Sequence, residues 1–225
     1  EVTPPSTTVE RIDQRIMLVE KGDKRDLLVE LLKDPAVERV LVFTRTKHRA
    51  DRVVRHLKKV DERAAAIHGD KAQGARERAL EGFRSGKLRV LVATDIAARG
   101  IDVPEISHVI NFDLPNVPES YVHRIGRTGR AGREGSVVSF CDVEEREYLQ
   151  AIEKAIRLEV PIAEDHPYRS TEPFQRKPQR AAAPQGARKG GGSGGGRKRG
   201  SRRPGAGRPN SRGSGAGRSN SRRSR

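Results

Sequence analysis

The sequence predicts an α/β fold: a doubly wound parallel sheet covered by helices on both faces and followed by a disordered tail. Three observations predict it. Short, uninterrupted apolar runs such as Val40-Leu41-Val42-Phe43 have the composition of strands buried on both faces of a parallel sheet. Stretches with apolar residues three and four apart separate those runs, so strand and helix alternate along the chain. Hydroxyl, carboxylate and glycine residues collect just after the strand runs, where folds of this class bind their ligands.

Taken in order, residues 1–10 contain Pro4 and Pro5 and read as an extended linker, because proline restricts itself and its predecessor to non-helical backbone. A strand follows at 12–19, then a helix at 24–33 with Leu27, Leu28, Leu31 and Leu32 on one stripe, closed by Pro35. After the strand at 40–43, Thr46 stands where an N-cap belongs, ahead of a helix that turns Ala50, Val53, Val54 and Leu57 inward. The alternation continues with strands at 65–67, 90–93, 108–112 and 136–140. Helices are expected at 75–83, 120–126 and 144–157.

The globular domain is expected at 11–166. From Pro167 onward Gly, Ser, Arg, Pro and Ala dominate, and beyond Gln175 no apolar residue larger than alanine occurs. Such a segment buries too little surface to offset the entropy of ordering it, so 167–225 is expected to be a disordered basic tail. It also carries the formal net charge of +16, since Glu172 is its only acid and residues 1–166 balance to zero. Any phosphate site in the globular part must therefore be local, and the tail is suited to a salt-sensitive tether for nucleic acid.

One cysteine, Cys141, permits no intrachain disulfide, and no Cys/His cluster has zinc-site spacing. A reducing cytoplasm is the expected setting. No apolar run has the length of a membrane span, and no signal pattern opens the chain. No membrane partner is expected, and a monomer is the default.

Residues 121–132 read Tyr-Val-His-Arg-Ile-Gly-Arg-Thr-Gly-Arg-Ala-Gly. If the helix continued, Arg124, Arg127 and Arg130 would share one face, and their mutual repulsion would ask for an anion, phosphate above all. Residues 93–102, Ala-Thr-Asp-Ile-Ala-Ala-Arg-Gly-Ile-Asp, follow a strand directly and supply a hydroxyl, two carboxylates and an arginine; alternatively, Thr94 and Asp95 merely cap a short helix. After His68-Gly69-Asp70, Gln73 and Arg76 open a helix and could flank a phosphate, or Gln73 simply caps it and Arg76 lies on the surface.

These segments resemble signatures of the DEAD-box RNA helicases. His123 to Arg130 matches the last signature at every position, 93–102 resembles the fifth, 42–46 the fourth, and Gln73-x-x-Arg76 after His-Gly-Asp an RNA-contacting pair. The resemblance covers about 12–157, a second, RecA-like helicase domain of the P-loop NTPase type. It implies that Arg127 and Arg130 act as arginine fingers on ATP, that Asp102 approaches the ribose, and that His123 links hydrolysis to RNA. It also implies RNA contacts by Thr46, Gly69, Gln73, Arg76 and Thr94, and interdomain contacts by Arg99 and Arg124. The opening Arg11-Ile12-Asp13-Gln14 and the Arg/Gly-rich end look most like the bacterial RhlE-like branch.

The chain lacks a Gly-x-x-x-x-Gly-Lys-Ser/Thr loop, for Gly82 to Lys87 is one residue short between its glycines and is followed by Leu88. Asp61-Glu62-Arg63-Ala64 imitates the family's name motif at a helix end, not on a buried strand. The expectation is thus half an active site, inactive alone, with Mg²⁺ held by a missing N-terminal RecA-like domain and with RNA and ATP as partners. A binding module dominated by the tail, and a DNA helicase of the same superfamily, are the alternatives.

Overall fold

The computed structural model describes residues 12–99, 101, 103, 105–129 and 135–176. The linker at 1–10, Asp102, Arg130 and the tail from 177 lie outside them. The strands are β1 (Ile12–Leu18), β2 (Val40–Phe43), β3 (Ala64–Ile67), β4 (Val90–Ala93), β5 (His108–Asn111), β6 (Gly135–Cys141) and β7 (Ile162–Ala163). They form one parallel sheet in the order β3-β4-β2-β5-β6-β1-β7. The helices are α1 (Lys24–Leu32), α2 (Lys47–Lys59), α3 (Gln73–Arg84), the single turn α4 (Asp95–Ala98), α5 (Pro118–Ile125) and α6 (Arg146–Ile156).

Side chains alternate across a strand, so each apolar run feeds two cores. Val40, Val42, Val90, Val92 and Ile110 face α1 and α2, meeting Leu27, Leu28, Ala50, Val53 and Leu57. Leu41, Phe43, Leu91 and Val109 face the other way, toward Phe83 of α3, Tyr121 and Ile125 of α5 and Leu149 and Ile152 of α6. The result is a three-layer sandwich. Its central strands are buried at all four positions, which is why they read as unbroken apolar runs and not as alternating ones.

Several boundaries differ from the sequence expectation for identifiable reasons. Helix α5 begins at Pro118, whose missing N–H costs nothing in a first turn, and it ends at Ile125. At the C-terminal helix, Asp142 accepts from the Glu144 N–H at 3.0 Å in a capping box with Glu145, so a 3₁₀ turn at Val143–Glu145 precedes α6. Strand β7 was not expected: it is two residues long, and Pro161 supplies a carbonyl to Ile16 N–H at 2.8 Å.

The expected boundary at 166 is corrected as well. Residues 167–176 form a strap against the domain. Tyr168 and Phe174 pack on the two cores, Ser170 N–H donates to Leu18 O at 2.9 Å, and Phe174 lies under the guanidiniums of Arg146 and Arg176, each 5.7 Å away. Arg176 also pairs with the buried Glu153 at 2.9 Å. Two aromatic anchors, with ion pairs of Arg176 to Glu153 and Glu159 and of Arg169 to Glu164, thus hold a segment whose overall composition suggests no anchors. Cys141 is a free, buried thiol, and burial pushes its pKa up to about 12.

Candidate phosphate-binding site at the strand ends

The carboxyl ends of β3, β4, β2 and β5 lie side by side, with Ile67, Ala93, Phe43 and Asn111 in register. The loops leaving these strand ends are therefore brought into one row. Gly69 follows β3, Thr94 follows β4 and Thr46 follows β2, although nearly 50 residues separate the first and last in the chain. Lys47 closes the row by meeting Asp70 at 2.6 Å.

Thr46 caps α2 as expected, its hydroxyl accepting from Arg49 N–H at 3.2 Å, and it stays exposed. Thr94 occupies the N-cap position of α4 but makes no side-chain cap bond, so the reading of Thr94 as a mere cap fails. Helix α3 starts at Gln73 itself, with Ala72 as N-cap, so Gln73 is not the cap either. Instead it donates to Glu77 at 2.8 Å and accepts from Arg76 at 3.4 Å, while Arg76 Nε is buried without an acceptor among the described residues. Gly69 stands exposed, with open space where a Cβ would be. Behind this row, His68 is buried with Nε2 3.1 Å from Asp51, which also takes Lys71 at 2.9 Å. Burial pushes the Asp51 carboxyl upward, but Lys71 and His68 outweigh it and hold its pKa below the ordinary value.

Arg124 is 1% exposed. Its Nε and Nη2 donate to both oxygens of Asp95 at 2.6 and 2.8 Å; Nη1 reaches Asn111 at 3.1 Å and the Asp113 carbonyl at 2.7 Å. The guanidinium also stacks over the Phe43 ring at 5.0 Å. A single side chain thereby ties together the ends of β2, β4 and β5. The sequence expected an interdomain role for Arg124; within this domain it braces the strand ends. The shared helical face of three arginines is corrected: α5 stops at Ile125, Arg127 lies in the turn beyond it, and the anion that meets Arg124 is Asp95.

Against this knot lies a hollow of about 280 Å³ bordered by Phe43, Asp95, Arg99, Ser120, His123, Arg127 and Arg124 itself. Arg99 and His123 are exposed on its rim. Arg127 Nη1 donates to Ile101 O at 2.8 Å, so the same side chain that borders the hollow braces the chain at Ile101. The turn after it is held by Thr128, whose hydroxyl donates to Ile106 O at 2.5 Å. Gly135 closes over that turn so tightly that a Cβ would lie 2.4 Å from Gly129 N, which demands glycine there.

Comparison with known proteins bears on what this arrangement is. Residues 23–132 match the family model of the helicase conserved C-terminal domain. The fold superposes on Escherichia coli DEAD-box protein SrmB, solved bound to regulator of ribonuclease activity A, with a TM-score of 0.69 and 34% identity, covering 74% of this chain and 98% of that one. The C-terminal domain of the DEAD-box protein Dbp5 gives a TM-score of 0.62 at 36% identity, covering 68% and 91%. The chain belongs to the DEAD-box family. It is the C-terminal, RecA-like domain of such a protein. Among curated relatives, the ATP-dependent RNA helicase RhlB of Pseudomonas syringae pv. tomato is 46% identical over 156 residues, 69% of this chain and 39% of the relative. The ATP-dependent RNA helicase CshA of Listeria monocytogenes is 47% identical over 146 residues, 65% and 28%. The chain therefore spans less than two-fifths of the length of either.

Within this DEAD-box domain, the residues that sequence reading left without a role are the ones that brace the site. Arg45, at the end of β2, turns inward to Glu145 at 2.9 Å and stacks over Tyr148 at 5.3 Å, while its N–H donates to Asp113 at 3.0 Å. Arg49 also pairs with Asp113. Lys24, fully buried, meets Asp142 at 2.8 Å and bonds Glu145. Burial pushes the Glu145 carboxyl upward against these cations. The collection of carboxylates at strand ends was visible in the sequence; the pairing of each with a distant cation was not.

Proposed function

We propose that this DEAD-box domain is the second half of an ATP-dependent RNA helicase that unwinds duplex locally. The observation that carries the reading is the hollow bordered by Arg99, His123 and Arg127, placed next to the row of Thr46, Gly69 and Thr94. Guanidinium and imidazole groups on an exposed rim suit phosphoryl oxygens, whereas the carboxylate beside them is already neutralised by Arg124. ATP held by an N-terminal domain would supply a phosphoanhydride whose charge shifts during transfer. Arg127 and Arg130 would neutralise that charge, an effect of roughly 10³ to 10⁵ in rate across nucleotide hydrolases. His123 and Arg99 would meet the facing domain, and Asp102 the ribose.

The nucleic-acid side follows from the same edge. Thr46 sits at the start of a helix of 13 residues and Gln73 at the start of one of 12. Helix N-termini present N–H groups and partial positive charge to phosphates. Backbone contacts of this kind position a strand without reading its sequence. We propose RNA as that strand, from the helicases the chain resembles. Mg²⁺ is proposed to be held by the N-terminal domain; among the described residues no three His, Cys, Asp or Glu side chains form a group able to hold a metal ion. A reducing cytoplasm is proposed as the setting, and the basic tail as a tether for RNA.

The test is RNA-stimulated ATP hydrolysis by a protein carrying both helicase domains. Arg127→Ala and Arg130→Ala should each lower turnover at least 10³-fold while RNA is still bound at constant salt. Unchanged turnover would move the binding-module reading ahead. RNA-stimulated hydrolysis by this chain alone would overturn the half-site reading, and equal stimulation by matched DNA would favour a DNA helicase.

A further inference from the structure

At the opposite edge of the sheet, the amino ends of the same strands frame a larger hollow of about 630 Å³. Parallel register determines what lines it. Ala64, Val90, Val40 and His108 are aligned across β3, β4, β2 and β5. The residues just before them, Arg63, Arg89, Arg39 and Ser107, therefore stand in a row, and all four border the hollow. Neighbouring strands are roughly 5 Å apart. Three arginines are thus set at successive strand spacings, and Arg127 faces them from the turn after α5.

The arginines are not equivalent. Arg89 is built into the domain: it donates to the carbonyls of Leu32 and Val37 and pairs with Glu62 at 2.7 Å. Arg63 is exposed and makes a long bond, 3.3 Å, to Gly86 O. Arg39 is part-buried and pairs with Glu105 at 3.6 Å. Glu38 and Glu105 are the acids of the lining and Arg89 is matched by Glu62, so three further cations, Arg39, Arg63 and Arg127, face two anions. Residues 1–166 carry no net formal charge, so this excess is local. Pro35, Leu88, Val103 and Ile106 add an apolar wall. A concave site of a few hundred Å³ with an apolar wall and a few convergent polar groups has the dimensions of a small-molecule site.

We propose that this hollow binds a small phosphorylated molecule carrying two or more phosphoryl groups, with Arg39 and Arg63 as its principal ligands. Arg39 and Arg63 stand on either side of Arg89, two strand spacings or about 10 Å apart, so their guanidinium forks suit phosphoryl groups at the two ends of one molecule, and the apolar wall seats the organic body. The site lies at the amino edge, away from Thr46, Gly69 and Thr94. Arg127 borders both hollows. Occupancy is therefore sensed by Arg127, a consequence that rests on the nucleotide role proposed for that residue, whereas binding itself does not.

The probe is inorganic tripolyphosphate, titrated into the full chain at fixed salt and without nucleotide or RNA, and read by backbone amide shifts. Saturable shifts at Gly86, Ser107 and Gly129 are expected. They should weaken at least tenfold in Arg39→Gln/Arg63→Glu, and in the exposed single variant Arg63→Glu, while shifts in the basic tail persist. Shifts confined to the tail, or pocket shifts equal in the variants, overturn the proposal. Pocket shifts produced by hexaglutamate and not by tripolyphosphate overturn it in favour of an acidic protein segment. Because no ATP is present, failure here leaves the helicase reading untouched, and the reverse also holds.

Discussion

On the inner flank of α5, Tyr121, Arg124 and Ile125 are buried, and their polar atoms are spent on Gln14, Asp95, Asn111 and the Asp113 carbonyl. On the outer flank, Ser120 and His123, with Arg127 just past the helix end, border an open hollow. The two flanks belong to one unbroken motif and meet different physics. A guanidinium held by four bonds to protein acceptors is a fixed strut; one that braces a loop carbonyl while it borders the hollow can still serve a ligand. Arginines three residues apart therefore need separate experiments before they are given a common role.

The largest expected effect breaks the comparison if it fails. Arg124→Met should destabilise the domain by about 3 kcal/mol in urea denaturation, since it strands a carboxylate and two further acceptors. The lower end of the range for buried pairs applies because Asp95 keeps 37% of its side chain exposed and can rehydrate in part. Arg127→Met should cost under about 1 kcal/mol. Equal losses would show that both are struts. Next, Tyr121→Phe removes the hydroxyl that donates to the buried Gln14 at 2.8 Å and should cost about 1 kcal/mol by the same measurement.

Two smaller effects sharpen it. Thr46→Val deletes a cap bond and should lower stability by about 1 kcal/mol, whereas Thr94→Val, which deletes none, should leave it within about 0.5 kcal/mol. Both should weaken RNA binding. A stability loss at Thr94 equal to that at Thr46 would return Thr94 to a structural role.

The smallest effect concerns pH. Burial lowers the pKa of His108 below 6.5, so the unfolded chain binds its proton more readily than the fold does. Its contribution is then fully present above about pH 6.5 and is lost as pH falls from there through the folded pKa. His108→Gln should flatten the stability profile in that acidic window and leave it unchanged above neutrality.

Much of this was legible in the sequence. The central strands announced themselves because both faces of each are buried, and Thr46 because capping is a local interaction. The row of Gly69, Thr94 and Thr46 followed once the strands were taken as parallel. What stayed hidden depended on partners far along the chain. Nothing local marks Asp95 as the counterion of Arg124, or Glu145 as that of Lys24, since each pair forms only after the sheet is assembled. Strand β7 is two residues long and carries no period to detect. The strap at 167–176 was overlooked because composition averages over a window, whereas Tyr168, Phe174 and Arg176 act as individual anchors.

The strand order also has a consequence for how the domain comes into being. Strand β1 is the earliest described strand, yet it lies between β6 and β7, with Ile12 opposite Gly135 and Ile16 opposite Ile162. A ribosome releases the chain N-terminus first, so β1 emerges long before either neighbour exists. Until β6 and β7 follow, Ile12, Ile16 and Val19 have no sheet to enter, and the backbone of β1 is open along both edges. Folding of this domain is thus a late event in its own synthesis, completed only when β7 and the strap at 167–176 have cleared the exit tunnel, and β1 is the segment a nascent-chain chaperone has most reason to shield.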